Sequence, residues 1–270
     1  ETVKLLENLF AHKQFYTGKN SGLRDIDYQN YVMVPYQWIR YSIQGAVLSI
    51  GISWTFYKSI EICILSLFSV IFYLKYKKME LRKKRLDRLR MQFRDGILVM
   101  TSLLSAGYSP ENAVEKIIME LELLWGEDAD MVLEFRKMNN ELSLNRPIEP
   151  MWYDFAQRSG LEEVENFAEV FSVVKRSGGN VSTIIQWAVQ RLNQRFQAEE
   201  QIQTMLASRR YEQKVMNVIP IFILFYINLS SPEMVSAMYT TIPGKMIMTI
   251  CLGVYILAYI LAKKIIEIEV

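Results

Sequence analysis

The amino-acid sequence predicts an all-α, polytopic membrane protein. We expect four transmembrane helices, arranged as two hairpins that flank a cytosolic antiparallel helical bundle. Charge-free stretches lie towards both ends of the 270 residues, whereas the middle of the chain is rich in charge. That middle repeats apolar residues at helical spacing and shows no alternation typical of strands. With 51% hydrophobic and 22% charged residues, the composition suits a mixture of membrane and water-exposed parts.

These patterns divide the chain into four predicted segments. They are an N-terminal cytosolic amphipathic segment at 1–40, a transmembrane hairpin at 41–75, a helical bundle at 76–214 and a second transmembrane hairpin at 215–270. The first segment has one apolar helical face, formed by Val3, Leu5, Leu6, Leu9 and Phe10. Two interpretations of that face stay open: it packs on the rest of the protein, or it lies on the membrane surface.

The two predicted hairpins depend on four charge-free stretches. The stretches are 41–57, 62–74, 215–232 and 246–262. A helix needs about 20 apolar residues to cross a bilayer, with a range of about 17–25. The second stretch is shorter than that, and we predict a span there because a turn near Lys58 pairs it with the first stretch. Pro220 lies inside the third stretch, where a span tolerates a proline and is expected to bend.

A basic run follows the first predicted hairpin directly. Its members are Lys75, Lys77, Lys78, Arg82, Lys83, Lys84, Arg85, Arg88 and Arg90, opposed by Glu80 and Asp87. Because Lys and Arg close to a span stay on the cytoplasmic side, the run predicts that the bundle is cytosolic. Binding of nucleic acid is the competing interpretation of such a run. It is disfavoured here because the run is juxtamembrane and contains a single aromatic residue, Tyr76, on which bases could stack.

Start signals and apolar periodicity divide the bundle into helices. A helix is predicted over 92–105, and Ser109, Pro110 and Glu111 form an N-cap, first position and acidic first turn for the next one. Asp128 is the predicted N-cap of the helix after that. The predicted inward faces are Ala113, Val114, Ile117, Ile118 and Leu121; Met131, Val132, Phe135, Met138 and Leu142; Trp152, Phe155 and Ala156; Val164, Phe167, Ala168, Val170, Phe171 and Val174; and Ile184, Ile185, Ala188, Leu192, Phe196, Ile202 and Leu206.

Glycines mark two turns between these helices. Gly107 follows the first bundle helix, and Gly178 and Gly179 follow the helix that ends near Ser177. Glycine adopts a positive φ at little cost, which suits the residue just after a helix. Asn180 is then the N-cap of a long helix that begins near Val181. We predict that both turns are structural elements of the bundle.

Motifs for catalysis or cofactor binding are missing from the sequence. There is no GxxxxGK[ST], HExxH or GxSxG motif, and the two cysteines and single histidine give no metal-ligand spacing. We therefore expect no enzymatic activity, no cofactor and no metal. Glu127, Asp128 and Asp130 belong to a carboxylate-rich stretch that is interpreted most simply as a solvated face. The alternative interpretation is an acidic docking surface for a partner protein.

Three motifs, in this order, carry a resemblance to a known family. QFRD at 92–95, LLSAGYS at 103–109 and RSGGN at 176–180 resemble the type II secretion system F domain. The branch that they resemble most is the platform proteins of Tad (tight adherence) type IV pili. The resemblance covers about 93–213, and the flanking hairpins fit that branch. One such domain is present, whereas platforms of type II secretion systems and type IVa pili carry two.

The resemblance implies a platform protein in the cytoplasmic (inner) membrane of a prokaryote, with no activity of its own. Implied partners are a hexameric assembly ATPase, pilin subunits, and either a paired platform protein or a second copy of this chain. In such machines the platform docks the ATPase and couples its motion to insertion of pilin into the filament. The long helix from Val181 is then a candidate to carry that motion towards the third span.

Two other classes of protein fit parts of the pattern. The first is the membrane subunit of a transporter whose helical domain couples to a nucleotide-binding partner, which solute flux in vesicles would reveal. Spans without polar pairs disfavour it. The second is a membrane-tethered signalling protein that dimerises through the bundle, which ligand-dependent association would reveal.

Overall fold

The computed structural model describes residues 26–59, 64, 66–177 and 181–268. All secondary structure in these residues is helical and none is strand, which confirms the all-α prediction. The apolar face predicted within the first ten residues lies outside the described residues. So do Gly178, Gly179 and Asn180, and part of the second predicted span.

Nine helices form in the described residues. They are α1 (Pro35–Tyr57), α2 (Ser69–Ser105), α3 (Pro110–Trp125), α4 (Asp130–Ser143), α5 (Ile148–Ser159), α6 (Glu162–Ser177), α7 (Val181–Ser230), α8 (Pro232–Thr240) and α9 (Ile242–Ile268). Residues 92–105 are helical and the helix ends at Ser105 as predicted, but its predicted start at Gln92 is wrong, because α2 begins at Ser69 and continues through the whole basic run. Likewise, α7 continues past the end of the predicted bundle and contains Pro220.

The described residues divide into two compact units. The bundle unit contains 26–34 and 78–196, and therefore most of α2, all of α3 to α6 and the first part of α7. The apolar unit contains the remaining described residues, with α1, the start of α2, the rest of α7, α8 and α9.

An aromatic cluster forms the centre of the bundle unit. The ring of Trp152 in α5 lies 4.8 Å from that of Phe167 in α6 and 5.8 Å from that of Phe135 in α4, measured between centroids. Phe93 of α2 lies 6.2 Å from Trp152 and 5.8 Å from Phe167. These pairs are edge-to-face, an arrangement that the charge distribution of aromatic rings favours. The cluster therefore joins four helices through side chains that are almost fully buried.

Most predicted inward faces of the bundle are buried. This holds for Ala113, Val114, Ile117, Ile118, Leu121, Met131, Val132, Phe135, Met138, Trp152, Phe155, Ala156, Val164, Phe167, Ala168 and Phe171. The predicted face of α7 is partly wrong. Ile184 and Ile202 are exposed, whereas Val189, which the prediction omitted, is buried. The long α7 carries few apolar residues towards the bundle, and its inward face is correspondingly hard to predict from spacing.

Two helices in the described residues are long and apolar enough to cross a membrane, judged by length and composition. They are Thr183–Ser230, within α7, and Ile242–Ala262, within α9. The first predicted span forms α1, which does not reach the same hydropathy because serine and glutamine residues interrupt its apolar sequence.

Polar side chains connect the helices of the apolar unit. Tyr239 of α8 donates to the carbonyl oxygen of Thr55 at 2.8 Å and accepts from Asn228 of α7 at 2.8 Å. Two turns before the end of α1, Ser49 donates to the carbonyl oxygen of Ser66 at 2.7 Å. At Gly45, an added Cβ would lie 2.8 Å from the Tyr73 ring. The start of α2 thus packs closely along α1.

Gly96 brings α2 close to α3 and α4. A Cβ at this position would lie 2.8 Å from Cε2 of Phe135 and 3.3 Å from Cδ1 of Leu121, and both of those side chains are fully buried. Neither neighbour is a flexible side-chain end that can move into solvent. A residue larger than glycine would therefore separate the helices.

We predict that Gly96→Ala lowers the free energy of unfolding by about 1–3 kcal/mol, the usual cost of overpacking a core. The measurement is chemical unfolding of the full chain in detergent micelles, followed by tryptophan fluorescence. Gly253→Ala is the matched control, because a Cβ at Gly253 meets nothing within 4 Å. Equal unfolding curves for the two variants would contradict the proposed close approach.

Candidate functional surface of the bundle unit

The sequence QFRD at 92–95 fixes the turn between α3 and α4. Gln92 is buried in α2, and its Oε1 accepts a hydrogen bond of 3.0 Å from the backbone N–H of Met131 in the first turn of α4. The N-cap position of α4 is Ala129, and no side chain there caps the helix. The prediction of Asp128 as N-cap is therefore wrong, because an amide from another helix serves one of the N–H groups that a cap would serve.

The next residues of the same motif hold the end of α3. Asp95 accepts a hydrogen bond of 3.0 Å from Nε1 of Trp125, the last residue of α3. Arg94 contacts the other oxygen of Asp95 at 3.4 Å. Phe93 lies in the central aromatic cluster. Residues of the motif thus contact both sides of the turn at 126–129.

The turn at Gly107 ends α2 with a Schellman arrangement. Gly107 has a φ of +90°, its N–H donates to Leu104 O at 3.1 Å, and the N–H of Tyr108 donates to Leu103 O at 3.1 Å. The predicted N-cap at Ser109 is confirmed: its side chain accepts from Asn112 N, and Pro110 starts α3. The structural turn predicted at Gly107 therefore has the backbone geometry that requires glycine.

The predicted docking carboxylates divide into two kinds. Glu127 and Asp128 are exposed in the turn between α3 and α4, just after Gly126 with its φ of +87°. Asp130 is instead largely buried against Arg85 of α2, with 2.6 Å from Nη2 to Oδ1 and 2.9 Å from Nε to Oδ2. This bidentate pair joins α2 to α4. Asp130 therefore belongs to the internal packing of the bundle, and the exposed acid of this turn comes from Glu127 and Asp128.

Three large apolar side chains lie exposed near this turn, and the sequence analysis did not identify them. Met119 is 54% exposed, Leu123 84% and Leu124 63%. We call these residues, together with Glu127 and Asp128, the α3 surface. Exposed contiguous apolar side chains with a polar rim are typical of protein-binding sites. The available signal in the sequence was that these three residues fall outside the inward stripe of α3.

A buried ionic network attaches the N-terminal segment to the bundle. Glu134 of α4 accepts from Tyr28 Oη at 2.7 Å and from both terminal nitrogens of Arg158 at 2.7 and 2.6 Å. Arg158 also donates from Nε to Asp154 at 2.9 Å and from Nη1 to Ile26 O at 3.1 Å. These residues fall in the predicted N-terminal amphipathic segment, and its apolar spacing did not indicate that Tyr28 enters the core.

Electrostatics explain why these charges persist in a buried site. Burial opposes the charge of Arg158, but its hydrogen bonds and proximity to Glu134 and Asp154 outweigh that effect and raise its pKa. Burial alone would raise the pKa of Asp154, yet the hydrogen bonds from Arg158 and Lys137 lower it overall. Burial also raises the pKa of the Tyr28 phenol, and the charge of Glu134 adds to the shift. The phenol therefore stays protonated and able to donate.

Comparisons with known proteins identify one family. The family model for Type II secretion system (T2SS), protein F matches residues 97–228, from the last quarter of α2 almost to the end of α7. No curated protein and no solved structure matched the chain. In the described part of the chain, no group of His, Cys, Asp and Glu side chains is arranged to hold a metal ion.

We predict that Gln92→Met destabilises the protein by about 1 kcal/mol, because the N–H of Met131 loses its acceptor while the volume of the side chain is nearly kept. Chemical unfolding of the full chain in micelles measures the change. Gln190→Met, at an exposed position of α7, is the control and is expected to have little effect. An unchanged free energy of unfolding for Gln92→Met would contradict the capping role.

We predict that Arg158→Met lowers the free energy of unfolding by about 3–5 kcal/mol, because Glu134 is left buried without a countercharge. Arg146→Met is the control: Arg146 also binds a carboxylate, that of Glu141, but it is exposed, so the expected loss is at most about 1 kcal/mol. Thermal unfolding of both full-length variants in micelles checks the difference. Similar destabilisation by the two variants would contradict the prediction that the buried ion pair contributes more than the exposed one.

Proposed function

We propose that this chain, which matches the family model for type II secretion system protein F over residues 97–228, is the inner-membrane platform protein of a Tad-like type IV pilus or type II secretion assembly machine. The observation that carries the proposal is the family match over residues 97–228 together with two helices apolar enough to cross a membrane. Proteins of this family are inner-membrane proteins. The single domain and the motif pattern favour the Tad-like branch.

We propose a four-span topology with the bundle in the cytoplasm. The first hairpin occupies 41–75 and the second 215–270, leaving 1–40 and 76–214 on the cytoplasmic side. The contact between Ser49 and Ser66, together with the close approach of Tyr73 to Gly45, supports a helical hairpin at the first site. The basic run after that hairpin supports a cytoplasmic bundle, as the positive-inside bias requires.

The proposed partner of the α3 surface is the hexameric assembly ATPase. Exposed leucines supply the apolar centre of a docking site, and Glu127 and Asp128 supply a charged rim that favours a basic partner. The protein itself contributes no chemistry and no cofactor in this proposal. Its role is to receive motion from the ATPase and pass it to pilin subunits, together with a paired platform protein or a second copy.

The continuous α7 supports this coupling. It begins in the bundle unit at Val181 and ends in the apolar unit at Ser230, without interruption at the predicted start of the third span. A displacement of the bundle along this helix would therefore reach membrane-embedded residues through backbone hydrogen bonds. Pro220, which lacks an N–H, is the position where the helix bends most easily.

The experiment is binding of the purified assembly ATPase to the full chain in nanodiscs, measured by sedimentation. We predict that Glu127→Lys/Asp128→Lys and, separately, Leu123→Ser/Leu124→Ser each weaken binding about tenfold or more, equivalent to about 1.4 kcal/mol. The control Glu115→Lys/Glu169→Lys makes the same charge change at two other exposed positions of the bundle.

No binding by the unaltered chain would contradict the platform proposal. If all three variants bind the ATPase as well as the unaltered chain, the platform proposal stands but the α3 surface is not the docking site. A separate assay, loss of surface filaments on deletion of the chain and their return on complementation, tests the pilus branch of the proposal.

A further inference from the structure

Two groups of cations within the basic run after the first predicted hairpin differ in their contacts. The first group is engaged within the protein. Arg85 binds Asp130, Arg90 contacts the buried carboxylate of Glu163 at 3.2 Å, and Lys84 contacts Glu80 at 2.8 Å. Arg85 and Arg90 contribute to the packing of α2 against other helices, and Lys84 forms an exposed pair within α2 itself.

The second group forms one exposed face of α2. Lys78, Arg82 and Lys83 are exposed in the bundle unit and form no ion pair with the described residues. Met79, between them on the helix surface, is 70% exposed. At 3.6 residues per turn these four positions occupy about 140° of the helix circumference. We call them the α2 cationic face.

Asp27, whose carboxylate is electrostatically coupled to Arg82, already has other hydrogen-bond partners. Asp27 accepts hydrogen bonds from the side chain of Asn30 at 2.7 Å and from the N–H of Gln29 at 2.9 Å. Its pKa is lowered first by these two hydrogen bonds, and the charge of Arg82 is the smallest contribution. The positive charge of the α2 cationic face is therefore directed mainly to solvent.

We propose that the α2 cationic face binds the anionic phospholipid headgroups of the membrane that holds the protein. The proposal uses the membrane location from the proposed function but not the ATPase or the pilus. Lys78 follows the charge-free stretch 62–74 by four residues, so the chain keeps it within about 14 Å of the end of that stretch. Each Lys or Arg this close to an anionic surface strengthens the attraction of α2 to the lipid headgroups. Met79 supplies an apolar side chain that can enter the headgroup region.

Charge and composition favour lipid over the other anionic partners. Residues 78–91 contain no aromatic side chain on which bases could stack, and stacking supplies much of the affinity for single-stranded nucleic acid. A protein partner would need an acidic surface held beside the membrane. Anionic lipid, by contrast, is already concentrated at the position where the chain leaves the bilayer.

The experiment uses the full chain with Cys63→Ser, Cys251→Ser and Met79→Cys, labelled with bimane at the new cysteine. The protein is reconstituted in nanodiscs of phosphatidylcholine with increasing fractions of phosphatidylglycerol and a trace of lipid carrying a nitroxide on its headgroup. We expect phosphatidylglycerol to increase quenching of bimane by the nitroxide, and added salt to reverse the increase.

Lys78→Gln/Arg82→Gln/Lys83→Gln removes the three charges. Each basic residue near an anionic surface contributes roughly fivefold to the equilibrium constant for lipid contact. We therefore expect the triple variant to lower that constant, as read from the increase in quenching with phosphatidylglycerol, by about a hundredfold. The control Lys116→Gln/Arg146→Gln/Arg191→Gln removes three cations of the bundle unit that lie far in sequence from any predicted span, and it should keep the response. Quenching that does not depend on phosphatidylglycerol, or a dependence that survives in the first variant, would overturn the proposal.

Other ligands are tested in the same nanodiscs. The same fluorescence change produced by inorganic phosphate or by an oligonucleotide, in phosphatidylcholine alone, would assign the face to a soluble anion and overturn the lipid proposal. Resistance of the reconstituted chain to alkaline extraction is measured separately. Loss of the chain from the membrane in that assay would contradict the membrane function itself, whereas a retained chain without lipid dependence would contradict only this inference.

Discussion

The bundle unit depends on the contact of α2 with the helices around it. Gly96 allows α2 to approach α3 and α4. About one helical turn earlier, Phe93 enters the aromatic cluster with Trp152 and Phe167. Gln92 of the same helix supplies the hydrogen bond that α4 needs at its start. Because these contacts lie within five consecutive residues, a displacement of α2 would disturb the core, the α3–α4 turn and the exposed α3 surface together.

Buried charge gives this packing its specificity. A buried ion pair adds little stability compared with apolar residues of the same shape, but loss of one partner is costly. Glu134 and Arg158 are fully satisfied only when Tyr28 and Ile26 occupy their observed positions. The network therefore fixes where the N-terminal segment crosses the bundle. The pair of Arg85 and Asp130 likewise fixes the position of α2 against α4. Asp130 is engaged in this pair and therefore does not belong to the α3 surface.

Local sequence signals were reliable where the structure is determined locally. Apolar spacing predicted the inward faces of α3 to α6, and Ser109 caps α3 as its sequence context predicts. The errors concern contacts between residues that are far apart in sequence. Asp128 has the chemistry of a cap, yet Gln92 supplies the acceptor; Tyr28 lies in an apparent loop, yet it completes a core charge network. Neither partner choice is encoded in a helical period. The exposure of Leu123, by contrast, follows from its position outside the inward stripe of α3.

The distribution of cations along α2 has a consequence for the proposed platform. A protein that receives force from a motor must keep its bundle folded while its attachment to the membrane bears load. In α2 the cations that stabilise the bundle, Arg85 and Arg90, lie on the side of their carboxylate partners, whereas the α2 cationic face lies in the preceding turns. Attachment to lipid and internal packing therefore use different residues of one helix. Because salt screens exposed charges far more than buried ones, ionic strength should loosen the first of these contacts while the second stays intact.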